Sequence, residues 1–168
     1  MAPKGLLYYP VETPVNISYE TILPKVIKKN ARAMLKTPVP IAGIRGIRAL
    51  AKGISKLKKK DRRYAKLFLG HIVRMQEEIG TGGAGFRFIY ASFLQEAGEI
   101  LDSRQLKNGS QMMTAVGDEW REFALLAVTS IRGKKSNTID FDALREKLNN
   151  VADAESAVYK ELLDSKLV

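Results

Sequence analysis

Residues 80–85 read GTGGAG and satisfy G-x-G-x-x-G through Gly80, Gly82 and Gly85. Amides of such a run at a helix start can cradle a phosphate or carboxylate. A dinucleotide-binding loop must follow a buried strand and open a helix inside a βαβ unit. The segment before the run, RRYAKLFLGHIVRMQEEI, repeats its apolar residues at three and four, and no parallel strand follows. A nucleotide phosphate loop is excluded too, because no Gly-Lys-Ser/Thr closes the run. Two readings stay open. The glycines give helices before and after the run a tight passage. Alternatively, Gly82, Gly83 and Gly85, with Arg87 in the first turn and Tyr90 behind it, form a small anion or ligand site.

Other chemistry is sparse. The chain has no cysteine and one histidine, His71. This rules out a thiol nucleophile and thiolate metal ligation, and leaves one base for any triad. His71 lies among Phe68, Ile72 and Met75 and reads as a core histidine. Glu96 with Glu99, and Asp118 with Glu119 and Glu122, have the spacing of solvated helix faces. The expectation is no catalytic set, no metal site and no cofactor.

Charge is distributed unevenly. Residues 1–74 carry 17 Lys/Arg against 3 Asp/Glu, whereas residues 75–168 carry 11 against 15. Arg45, Arg48, Lys52, Lys58, Lys59 and Lys60 form a basic surface that continues through Arg62, Arg63 and Lys66. Such a surface draws an acidic protein, a phosphorylated ligand or nucleic-acid phosphate. Few aromatics interleave the cations, which argues against nucleic acid.

These residues must be placed by helices. Residues 5–15, GLLYYPVETPV, read as an extended strap, since Pro10 and Pro14 forbid a helix interior. Helical spacing follows, from near Thr21 to Leu35, with Pro24 accommodated in the first turn. A second helix carries Ile44, Ile47, Leu50, Ala51, Ile54 and Leu57 on one stripe. Asp61 caps a third, with Tyr64, Leu67, Phe68, His71, Ile72, Met75 and Ile79 as its apolar face. A fourth helix follows the glycines. LDSRQLKNGS reads as a turn, with a fifth helix from about Ser110. The last starts near Asp140, and Glu155 interrupts its apolar stripe. The expected fold is all-α: a single domain over 1–168, with a strap at 1–17 and a bundle of about five or six helices over 18–168. No run is long and apolar enough for a membrane span, and a cytoplasmic location is expected because the start lacks a secretory h-region.

The order of motifs carries a resemblance. NARAMLKTPVPIAGIRGIRALAKGI, then IGTGGAGFRFIYASFLQEAGEIL with Arg87, Tyr90, Phe93 and Leu94, resembles the C-terminal helical domain of the butirosin biosynthesis protein H family over roughly residues 5–130. The resemblance implies an acyltransferase-like protein of antibiotic biosynthesis. In such proteins an N-terminal cysteine-bearing domain moves an acyl group from an acyl carrier protein to an amine. That domain is absent from this sequence, so the expectation is a non-catalytic helical domain that helps bind an acyl carrier, an acceptor or a second subunit in a homo-oligomer. The alternative is a small basic nucleic-acid-binding protein.

Overall fold

A computed structural model describes residues 18–133 and 138–166. The strap at 1–17 lies outside the described residues. The described residues form six α-helices: α1 (Tyr19–Lys36), α2 (Gly43–Lys56), α3 (Arg62–Glu77), α4 (Arg87–Ile100), α5 (Arg104–Arg132) and α6 (Phe141–Asp164). A 3₁₀ turn, Leu57–Lys59, joins α2 to the α3 cap. The fold is all-α, as the 3.6-residue spacing predicts.

Side-chain oxygens set most helix starts. Ser18, Asp61, Ser103 and Asp140 accept backbone amides at the starts of α1, α3, α5 and α6. α1 begins two residues earlier than Thr21, so Pro24 sits inside it. At the α1–α2 turn Gly43 has φ +57°, and a Cβ there would fall 2.4 Å from the Met34 carbonyl oxygen. Only glycine permits that approach.

The long pair α5 and α6 forms the centre. α5 packs against α3, α4 and α6, whereas α6 packs against α1, α2 and α5. Leu69, Leu94, Leu106, Met113, Phe123, Leu144, Leu148 and Leu162 fill the core between them, and each is fully buried. Small residues let the helices close up. A Cβ on Gly117 of α5 would lie 2.6 Å from the Phe88 ring of α4.

Three expectations need correction. LDSRQLKNGS is not a turn up to Ser110, because α5 begins at Arg104. Ser103 caps it, Leu106 is buried, and Gly109 faces Leu162 and Leu94 across a close crossing, so Asn108-Gly109 lies within the helix. His71 is exposed, not a core residue. α3 turns Ala65, Leu69 and Val73 to the core, and Tyr64, Leu67, Met75 and Ile79 are about half exposed or more. The apolar arc of α3 is wider than one neighbouring helix can cover, and the smaller residues took the tight α5 contact.

Two glycines inside helices test this packing. Gly117→Ala should lower stability by roughly 1–3 kcal/mol through overpacking against Phe88. Gly53→Ala, whose Cβ would meet nothing within 4 Å, should raise it by about 1 kcal/mol. Urea midpoints of the two variants should move in opposite directions.

Candidate functional site

The glycine run forms a corner between α3 and α4. Gly82, Gly83, Ala84, Gly85 and Phe86 all have positive φ. Ala84 and Phe86 hold this conformation although L side chains disfavour it by about 1–2 kcal/mol each. Hydrogen bonds and burial hold Ala84 there. Glu77 accepts the Ala84 amide at 3.1 Å, Thr81 Oγ1 donates to the Gln76 carbonyl at 2.5 Å, and Ala84 is fully buried. Gln76 Nε2 donates to the Trp120 carbonyl at 3.2 Å and so ties the corner to α5.

Arg87 then opens α4 and points inward. Its Nε and Nη2 donate to the two oxygens of Glu155 at 3.1 and 3.0 Å, and Nη1 donates to the Gly85 carbonyl at 2.8 Å. The guanidinium lies 5.0 Å from the centre of the Trp120 ring, whose Nε1 donates to Glu155 at 3.2 Å. Glu155 is 0% exposed. The interruption in the α6 stripe is therefore a core position filled by a carboxylate with three donors. The sequence carries one signal for this: a lone acid in register with Leu148, Val151, Ala152, Val158 and Leu162, which a buried cation must answer.

The corner thus meets charges from its own chain, Glu77 at the Ala84 amide and Glu155 at Arg87. Tyr90 lies one turn along α4, with its ring 5.8 Å from Phe93 and 6.0 Å from Tyr159. Its hydroxyl is buried without a hydrogen-bond partner. Burial pushes the Tyr90 hydroxyl up to about 12, and burial with the neighbouring Glu155 charge raises Tyr159 as well.

The basic residues lie on α2 and the turn after it. Arg45, Lys52 and Lys56 follow at seven and four residues, so they share one stripe of α2. Arg45 donates to the Thr37 carbonyl at 3.5 Å. Arg48 pairs with Asp153 at 2.6 Å and Lys58 with Asp142 at 2.5 Å, both exposed pairs that brace α2 and its turn against α6. The Lys58 ammonium holds the Asp142 carboxyl below the usual carboxylate range. Lys52, Lys59 and Lys60 are exposed and have no ion-pair partner among the described residues. A cleft of about 480 Å³ opens at the end of this face, lined by Leu57, Lys58, Lys60, Arg62, Ile139 and Phe141 among others. The structure therefore separates the candidate residues into a corner whose Arg87 is paired with Glu155 and a face with uncompensated cations. Among the described residues no cluster of three or more His, Asp or Glu has the geometry to hold a metal.

Breaking the Arg87–Glu155 pair should cost far more than breaking an exposed one. Glu155→Ala, which removes the carboxylate from a guanidinium that is only 20% exposed, should destabilise by about 3 kcal/mol, whereas Asp153→Ala should cost under about 1 kcal/mol. Arg87→Met combined with Glu155→Leu should recover most of the loss, as a double-mutant cycle in urea would read.

The two tyrosines give a pH test. An unfolded tyrosine ionises near 10, whereas folded Tyr90 ionises only near 12. The unfolded state therefore releases its proton first, and stability should fall as pH rises from about 10 towards 12. Tyr90→Phe should flatten that fall in denaturation curves taken across the window.

No curated protein and no solved structure matches this chain. Residues 1–162 match the family described as a domain of unknown function, DUF4872. The chain belongs to that family.

Proposed function

We propose that this domain is a non-catalytic docking module, and that its α2 face holds an acidic partner protein in the cytoplasm. Given the resemblance described above, the partner is an acyl carrier protein serving an acyltransferase-like reaction of specialised metabolism. One observation carries the reading: Lys52, Lys59 and Lys60 stand exposed without a carboxylate, while Arg48 and Lys58 are spent on holding α2 and its turn to α6. Cations left without a carboxylate raise the local concentration of an acidic surface and orient it. The Arg87–Glu155 pair serves this function indirectly, by keeping α4, α5 and α6 in register behind the face.

Binding of an acidic acyl carrier protein, measured by calorimetry at low and high salt, tests the proposal. Lys52→Glu with Lys59→Glu and Lys60→Glu should weaken binding at least about tenfold and flatten its salt dependence. Arg45→Glu should weaken it less. Absence of binding at low salt, or indifference to the triple reversal, would defeat the proposal. Binding of random duplex DNA with a steep logarithmic salt slope would instead favour the nucleic-acid alternative.

A further inference from the structure

The outward side of α3 is apolar where a solvent-facing helix side is ordinarily polar. Tyr64 is 51% exposed, Leu67 66% and Met75 50%, and Ile79, just past the helix end, is 48% exposed. The Tyr64 and Phe68 rings stack at 6.2 Å, and exposed His71 sits midway along the stripe. Ile89 is 54% exposed, and a Cβ on Gly82 would lie 3.3 Å from its Cδ1, so Ile89 rests on the glycine run that follows Ile79. Half-exposed side chains of this size each leave roughly 100 Å² open. Five of them leave about 500 Å², the size of the largest apolar patch on a typical monomer, which is often a functional surface. A polar rim would bring that close to the ~800 Å² per partner of a standard interface.

We infer that this face is the contact for a second copy of the chain, with α3 lying antiparallel on α3 about a two-fold axis near His71. A two-fold contact uses the same patch twice, so the patch must complement itself. The α3 stripe does so in the antiparallel sense alone. An axis at His71 sets Leu67 of one copy opposite Met75 of the other. It also brings Arg63, in the basic first turn, towards Glu78 at the far end. Parallel pairing would put cations on cations. Glu78 remains available for this contact, because its ion pair with Arg74 is long at 3.8 Å and both side chains are 69% exposed. Arg63 has no ion pair among the described residues. The α3 face does not include the α2 cations, so dimerisation and acidic-partner binding fail or survive separately.

Sedimentation velocity of the full 168-residue chain, from about 1 to about 100 μM, tests the inference. A reversible dimer is expected. Leu67→Glu and Met75→Glu should each leave a folded monomer by circular dichroism, whereas Ile41→Glu, at a residue 80% exposed elsewhere, should leave the dimer intact. Arg63→Glu and Glu78→Arg should each raise the dissociation constant roughly tenfold, and the double swap should restore it. A parent chain that stays monomeric throughout overturns the inference, and leaves the face to a different partner. So does a dimer indifferent to Leu67→Glu, or a double swap no better than its singles.

Discussion

A carboxylate with no exposure to water has to be answered from within the protein. Glu155 meets this requirement through three donors, two from Arg87 and one from Trp120. Those three residues sit on α6, α4 and α5, so a single electrostatic demand fixes three helices relative to one another. Arg87 can reach Glu155 only because the chain reverses sharply just before α4. The five consecutive positive-φ residues at 82–86 are that reversal. The glycine run that suggests a ligand loop in the sequence also, in the folded chain, turns Arg87 towards Glu155.

A buried ion pair is poor evidence for stability, because removing two ions from water costs about as much as their attraction returns. Its value here is specificity. Apolar residues at 87 and 155 would tolerate several registers of α4 against α6, whereas a bidentate pair tolerates one. The aromatic layer beside it, Tyr90 with Phe93 and Tyr159, adds area but little direction. With the centre fixed, the outer helices α1, α2 and α3 serve as supports for surfaces. α2 carries cations and α3 carries an apolar stripe. The two surfaces attract different partners for different reasons, one through long-range field and the other through water release.

The helices themselves were legible from spacing, and so were most of their starts. Ser, Asp and Pro act locally, through hydrogen bonds and sterics that need no distant neighbour. Asn108-Gly109 misled for the same reason. Its local preference for a turn is real, but burying Leu106 and seating Gly109 against Leu162 outweighs it. The sidedness of α3 was not legible, because an apolar arc that wide has two ways to face inward, and only the shape of α5 chooses between them. Glu155 was visible as an interruption of a stripe. Its partner was not, because Arg87 lies 68 residues away and resembles any other first-turn cation.

By itself the sequence determined an all-α chain without thiol chemistry, carrying its positive charge in the first half, because composition and periodicity are properties of the chain alone. Tertiary structure alone decided which cations are consumed internally and which face outward. Arg87, Arg48 and Lys58 are paired, whereas Lys52, Lys59 and Lys60 are not. That division depends on which carboxylates the folded helices bring within about 4 Å, a distance over which Coulomb energy changes steeply and on which one-dimensional spacing says nothing.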